Sequence, residues 1–200
     1  MIMKRIELAA AAGIFLYAAS VSANQICYSG SQHSGELRFS SAVEGSGFSG
    51  GFGLFDLRYC MAENQPTIGE IVVTVQTGSA DSDNNDRDET LLGPEFFDVK
   101  QFPVSTWTSQ SITADQTAFK ADGVLELRGI QAPVAIEFTI NSEGNNGSIN
   151  ISGQFQMSGG AQINRQDFKV GTGEFADPEF VRNRVEVTFS LELNQVQVSD

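Results

Sequence analysis

Residues 119–140, FKADGVLELRGIQAPVAIEFTI, alternate apolar and polar side chains through two runs separated by a short break. In the first run, apolar residues or glycine recur at every second position from Phe119 to Leu127, and most positions between them are charged. The second run repeats the pattern from Val134 to Ile140. A period of two is typical of a β-strand with one buried and one solvated face. We therefore predict two strands here and an all-β fold.

The same alternation recurs in INISGQFQM, residues 149–157, and in VEVTFSLEL, residues 185–193. Shorter candidate strands lie at residues 37–39, 52–54, 71–75 and around Trp107. The total is about eight strands, and helical periodicity is nearly absent. Asn145-Asn146-Gly147 predicts a hairpin between antiparallel neighbours, because a type I′ turn needs positive φ at both central residues. Such strands form either a sandwich or a closed barrel, and the pattern leaves both open.

The amino-terminal segment has the features of a secretory signal. Lys4 and Arg5 precede a largely apolar stretch from Leu8 to Ala19, and Val21-Ser22-Ala23 resembles a signal-peptidase site. The apolar stretch is shorter than the ~20 residues that a membrane span requires. We therefore expect a signal peptide over residues 1–23, a mature domain over residues 24–200, and a periplasmic or secreted protein that is not an integral membrane protein.

Cleavage at this site removes three charged residues and leaves ten basic and 24 acidic ones, a net charge of −14. A surface this acidic repels the phosphates of nucleic acids and of anionic bilayers, and no basic stripe counteracts it. The simplest explanation of the acidity is solubility after export. We therefore expect no nucleic-acid partner.

Cys27 and Cys60 are the only cysteines. In an oxidising compartment such a pair persists as a disulfide, which we predict here. A redox-active pair is the alternative, but the Cys-x-x-Cys spacing typical of that chemistry is absent from the sequence.

The acidic run at residues 81–86, DSDNND, begins like a calcium-binding loop. Its sixth position is Asp86, where the loop needs glycine, and its twelfth is Leu92, where a bidentate glutamate is needed. We therefore predict no metal site and no cofactor. Asp86 and Asp88 instead favour the positive end of a short helix.

Residues 47–51, GFSGG, match the G-x-S-x-G pattern of a serine nucleophile. That pattern requires a downstream histidine, and the only histidine, His33, lies upstream. We therefore predict that the protein is not an enzyme, and we keep a hydrolase based on Ser49 and His33 as an alternative to be tested by their separation.

Four blocks resemble one known family. They are DRDETLLGPEFFDVKQFP (86–103) followed by STWTS (105–109), the strand pair at 119–138, INRQDFKVG (163–171) and NRVEVTFSLEL (183–193). In this order they resemble the YceI-like family, exported lipocalin-like proteins associated with polyisoprenoid binding. The amino-terminal part departs from the family, because AVEG at residues 42–45 replaces a histidine usual after the first strand.

The resemblance implies an eight-stranded antiparallel lipocalin-like β-barrel with one short helix. It also implies an interior that holds the isoprenoid tail of a polyprenyl phosphate or a quinone. The 15 phenylalanines fit this role, since their rings need no hydrogen-bond partner in a dry cavity. We call the alternation of inward and outward side chains along a strand its parity. The aromatic residues on the inward face are the expected lipid-binding residues: Phe39, Phe52, Trp107, Phe119, Phe138, Phe155 and Phe189.

Arg87, Arg165 and Asp167 belong to the resembling blocks. Each arginine is either a head-group contact or a corner residue that pairs with Asp88 or Asp167 to fix a loop. We therefore predict an exported protein that binds an isoprenoid-type lipid, with a membrane or an electron-transfer protein as a further partner. The alternative is a solidly packed barrel that acts as an interaction or stress-response module without a ligand.

Overall fold

The computed structural model describes residues 25–116, 118–141, 151 and 153–197. The strands are β1 Gln25–Ser31, β2 Gly35–Val43, β3 Ser46–Phe52, β4 Phe55–Ala62, β5 Gln65–Gln76, β6 Ala80–Asp81, β7 Val104–Asp115, β8 Ala118–Leu127, β9 Ile130–Asn141, β10 Gln154–Asn164 and β11 Arg184–Val196. The helix α1 is Asn85–Leu92. The expected signal peptide and the expected turn at Asn145-Asn146-Gly147 lie outside the described residues.

The eleven strands form eight long ones, because three of the long strands are interrupted. β1 and β2 run one after the other along the same edge of β11, separated by the turn at residues 32–34. β3 and β4 likewise form one long strand, and so do β5 and β6. β7 to β11 are each continuous, every pairing is antiparallel, and the pairing of β1 with β11 closes the barrel. The predicted eight-stranded barrel is confirmed, and the sandwich alternative is wrong.

The alternation of side chains sets which face of each strand turns inward. On β8, Phe119, Ala121, Gly123 and Leu125 are buried, and the charged residues between them are exposed. A one-residue slip in register would put this apolar set in water, so the pattern fixes the register of each strand.

The helix α1 lies at one end of the barrel, which we call the helix end. Asn84 caps it, since its side-chain oxygen accepts a hydrogen bond from the backbone N–H of Arg87 at 3.0 Å. Asp86 and Asp88 lie in the first turn, where carboxylates interact favourably with the helix dipole. The predicted short helix with acidic residues at its start is confirmed, and no described helix is long and apolar enough to span a membrane.

Five aromatic side chains fill the opposite end of the barrel. Tyr28, Tyr59, Phe119, Phe138 and Phe155, here called the aromatic plug, are each exposed by 3% or less. Phe119 stacks on Phe138 with ring centroids 5.2 Å apart, and Tyr28 meets Phe155 edge-on at 5.0 Å. Tyr59 contacts the rings of both Phe138 and Phe155. Offset and edge-on contacts of this kind add to the stability that area burial provides.

The disulfide lies at the plug end of the barrel and joins β1 to β4. Cys27 on β1 and Cys60 on β4 are direct cross-strand partners, with Cα atoms 4.0 Å apart, and the predicted bond is confirmed. The Nε of Arg58 lies 3.1 Å from the sulfur of Cys60. Since β1 pairs with β11 only through residues 27–29, the disulfide secures the strand that closes the barrel.

Removal of the disulfide should destabilise the protein without changing the fold. The bond closes a loop across a sequence separation of 33, and a loop of that size contributes about 3 to 4 kcal/mol in the chain-entropy model. We expect the Cys27→Ala/Cys60→Ala variant to lose about that much free energy of unfolding in urea. A loss below about 1 kcal/mol would show that the closing strand is held by its hydrogen bonds alone.

Alkaline pH should weaken the plug. Burial raises the pKa of the Tyr59 phenol, whose hydroxyl donates to the carbonyl of Pro66. The unfolded chain loses this proton near pH ~10 while the folded protein retains it, so stability is full below that pH and declines above it. We expect Tyr59→Phe to cost about 1 kcal/mol at neutral pH and to flatten the alkaline decline. Parallel stability curves for the variant and the wild type would contradict this.

Candidate functional site

An apolar cavity of about 190 Å³ lies between the aromatic plug and the helix end. Its walls come from the inward faces of β2 to β5 and β7 to β11, together with Leu91 of α1 and the two phenylalanines that follow it, Phe96 and Phe97. The cavity therefore lies on the helix-end side of the interior, and the plug fills the opposite side.

The burial of inward-facing residues shows where the barrel is unfilled. On β11, Leu193 and Leu191 are almost completely buried at 0% and 1%, whereas Phe189, Val187 and Val185 point inward but stay half-buried. The latter three line the cavity together with Leu191. They pack against the core on one side and border the cavity on the other, which leaves them partly exposed.

Four phenylalanines cluster around the helix end of the cavity. Phe39 is buried and lies 5.3 Å from Phe52 and 6.5 Å from Phe48 between ring centroids. Phe52 lies 6.0 Å from Phe97. Phe48, Phe52 and Phe97 are half-buried, and we call these three residues the aromatic rim.

Two inward-facing glycines let aromatic rings lie close to the wall. A Cβ at Gly123 would come within 2.5 Å of the Trp107 ring, and one at Gly50 within 2.5 Å of the Phe39 ring. The Trp107 ring lies over Gly123 of β8. Its indole N–H donates to the carbonyl of Val134 on β9 at 3.0 Å. The glycines therefore leave room for two rings that line the cavity.

The hydroxyl groups in the cavity wall all bond to backbone carbonyls. Ser105 donates to Glu126 at 2.7 Å, Thr77 to Phe102 at 2.8 Å, and Ser41 to Arg184 at 3.1 Å. With these protons engaged, the wall offers a ligand an apolar surface.

Arg165 lies in the wall of the cavity and is 3% exposed. Its Nε donates to Arg182, Nη1 to Val170 and Gly171, and Nη2 to Phe175 and Val181, each to a backbone carbonyl at 2.7–3.2 Å. A guanidinium has five N–H donors, so all are used. Burial lowers the pKa of Arg165. These contacts support the loop-fixing role, although the expected pairing with Asp167 is wrong, because Asp167 accepts from Asn164 at 2.9 Å instead.

Arg87 lies beside the aromatic rim, with its guanidinium carbon 4.8 Å from the centre of the Phe48 ring. Its Nε donates to the Ser82 hydroxyl at 2.7 Å and Nη2 to the Ser82 carbonyl at 2.8 Å. The same hydroxyl donates to Asp88 at 2.5 Å. Arg87 and Asp88 are thus joined through Ser82 rather than by the expected direct pair. Arg87 is half-buried and close to the end of the cavity.

The seven aromatic residues expected from strand parity divide into two groups. Phe39, Phe52, Trp107 and Phe189 line the cavity. Phe119, Phe138 and Phe155 belong to the plug and do not line it. All seven point inward, so parity cannot separate them; the difference is their position along the barrel axis. Sequence reasoning missed the lining residues Phe48, Phe96 and Phe97, although the last two stand in the block that resembles the family.

The hydrolase alternative fails on geometry. Ser49 pairs with Ser40 on β2, whereas His33 precedes the start of that strand at Gly35. The strand between Gly35 and Ser40 spans roughly 17 Å at ~3.4 Å per residue, far beyond hydrogen-bond reach. The cavity likewise contradicts a barrel that is solidly packed throughout.

Comparison with known proteins agrees with this architecture. The chain is 30% identical to protein YceI of Salmonella arizonae and 28% identical to UPF0312 protein YE1254 of Yersinia enterocolitica, in each case over 123 residues, 62% of this chain and 63% of the relative. The match thus spans less than two thirds of these relatives.

Solved structures share the fold. BcnA of Burkholderia cenocepacia superposes with a TM-score of 0.71 at 23% identity, covering 79% of this chain and 95% of BcnA. A structure described as a polyisoprenoid binding domain from Saccharophagus degradans superposes with a TM-score of 0.63 at 12% identity, covering 85% and 98%. At these identities the likeness shows the fold alone.

A family model described as the YceI-like domain matches residues 28–193, which span the closed barrel except for the first residues of β1 and the last residues of β11. The chain therefore belongs to the YceI-like domain family.

Proposed function

We propose that this protein binds an isoprenoid-type amphiphile, a polyprenyl phosphate or a quinone, with the tail in the cavity. The observation that carries the proposal is the partly filled barrel, whose cavity wall is apolar and whose wall hydroxyls are already bonded to the backbone. A relative of the same fold is described as a polyisoprenoid binding domain, which supports this ligand class.

The magnitude of the hydrophobic effect explains why such a lipid needs a carrier. At ~0.8 kcal/mol per buried carbon group, each five-carbon unit gains about 4 kcal/mol on leaving water. Shape and dryness are then sufficient for binding, and no reacting group is needed.

The polar head group is proposed to remain outside the cavity. Arg165 has no N–H left for a ligand, and the wall hydroxyls have donated their protons. Arg87 lies at the aromatic rim with its guanidinium against Phe48, where it could meet a phosphate. The lipid would therefore enter tail first.

We also propose that the protein acts outside the cytoplasm, after removal of residues 1–23. The buried disulfide is consistent with an oxidising compartment such as the periplasm. There the protein would carry or store its lipid between membranes or beside an electron-transfer partner.

Filling the cavity should abolish lipid binding. Val187 lines the cavity, and its neighbour Thr188 on β11 is exposed on the outer face, so Val187→Trp and Thr188→Trp form a matched pair. We expect Val187→Trp to lower the affinity for farnesyl phosphate more than about tenfold, and Thr188→Trp to change it less than about twofold. Native mass spectrometry and calorimetry measure both. Equal affinity in the two variants would contradict binding inside the barrel.

Arg87 should contribute to head-group affinity, and Arg165 to folding. We expect Arg87→Gln to weaken farnesyl phosphate about two- to fivefold, as for an exposed charge pair, and to leave farnesol unchanged. If Arg87→Gln weakens both ligands equally, the arginine acts on the rim and not on the phosphate.

Arg165→Gln leaves backbone carbonyls unpaired in the interior and should lower the free energy of unfolding in urea by about 3 to 5 kcal/mol.

A further inference from the structure

The cavity lining stops partway along five strands of the barrel, next to inward-facing residues that do not line the cavity. Leu57 lines it and the next inward residue on β4, Tyr59, does not; on β9 the same boundary separates Ile136 from Phe138. Three more strands show such a boundary. It lies between Met157 and Phe155 on β10, between Leu191 and Leu193 on β11, and between Trp107 and Ser109 on β7. The cavity is therefore blind, with the aromatic plug below its floor.

The plug is held in place from several sides. Tyr28 donates to the carbonyl of Ile151 at 3.4 Å, and Tyr59 donates to the carbonyl of Pro66. The disulfide connects the residues next to these two tyrosines, Cys27 and Cys60. A chain that advanced beyond the floor would have to displace stacked rings and break these bonds.

We propose that the aromatic plug sets the length of the hydrocarbon chain that the barrel encloses, at two to three isoprene units. This inference rests on the proposed function. Lining residues on β11 run from Val185 to Leu191, a depth of roughly 15 Å after correction for the tilt of barrel strands. The four bonds of one isoprene unit span roughly 4.5–5 Å, scaled from the ~3.5 Å of three bonds in an extended peptide, so the depth admits about three units.

The volume gives a lower number. A cavity of roughly 150 Å³ in another protein holds one benzene ring, and the cavity here, at about 190 Å³, is only slightly larger. Side-chain rotation at the half-buried rim can enlarge the cavity at the helix end, whereas the packed floor cannot yield in the same way. Two units therefore need a modest enlargement at the rim, and three is the limit that depth sets.

Phe138 and Phe155 are the specificity-determining residues in this arrangement. Each is the first inward side chain below the floor on its strand, after Ile136 and Met157. Both contact Tyr59, so truncating either one opens space directly beneath the cavity. The remainder of a longer tail would project from the helix end into water or toward a membrane.

The test is a chain-length series of prenyl phosphates with two to five isoprene units and the same head group. Trp107 is the only tryptophan and lines the cavity, so its fluorescence reports binding. We expect affinity to rise about tenfold or more from two to three units and less than about threefold for each further unit. Phe155→Ala and Phe138→Ala should move this break one unit toward longer chains.

Two further variants keep the test interpretable. Phe155→Leu removes less volume and replaces Phe155→Ala if circular dichroism shows that the alanine variant is unfolded. Phe189→Leu widens the existing cavity without deepening it, so affinities change but the break stays at the same length.

The length-setting role is overturned if wild-type affinity keeps rising at the same rate through five units, or if folded plug variants leave the break in place. The proposed function itself fails if no prenyl phosphate of any length binds. The two failures are therefore distinguishable in one set of titrations.

Discussion

The structure depends on an uneven filling of one closed barrel. Eight strands enclose an interior whose width is set by strand number and tilt. At one end, large rings such as Tyr59, Phe138 and Phe155 close that width completely. At the other end, smaller side chains such as Ala161, Val185 and Val187 face the same width and leave it open. The cavity, its blind floor and its apolar wall all follow from this difference in side-chain volume along the axis.

The helix end is held together by arginines that bond to backbone carbonyls. Arg165 donates hydrogen bonds to backbone carbonyls of the loop between β10 and β11. Arg128 donates to the carbonyls of Pro94 and Lys169. The backbone N–H of Gly171 donates to Glu95 at 2.7 Å, which joins the segment after α1 to the same loop. These contacts explain why the blocks that resemble the family include 86–103 and 163–171: they build the end of the barrel around the cavity.

Much of the fold could be predicted, because burial of one strand face leaves a direct trace in the sequence. The alternation from Phe119 to Leu127 predicted the strand and its inward face correctly. The helix start at Asn84 was equally predictable from the acidic residues that follow it. The interruptions of the long strands were not predictable. The turn at residues 32–34, for example, is too short to change the alternation of side chains noticeably.

The site was predictable only in part, for a physical reason. Parity tells which side of the sheet a residue faces, but height along the axis depends on stagger between strands, which arises from pairings distant in sequence. Phe189 and Phe155 therefore looked equivalent, although one lines the cavity and the other lies in the plug. The partners of Arg165 were unpredictable as well, because backbone carbonyls carry no residue identity.

An unfilled apolar cavity lowers the free energy of unfolding of a protein. Its presence in this barrel therefore needs a reason other than stability. Cavity formation in a core costs roughly 24 cal/mol per Å³, so a void near 190 Å³ is disadvantageous by several kcal/mol unless something occupies it. Larger side chains at Ala161 or Val187 would fill the space without disturbing the register of β10 and β11. The barrel instead keeps small residues at these positions while it packs five rings tightly at the other end. A fold selected for stability alone would have filled both ends, and a hydrocarbon ligand would recover at the helix end the contacts that the side chains leave unmade.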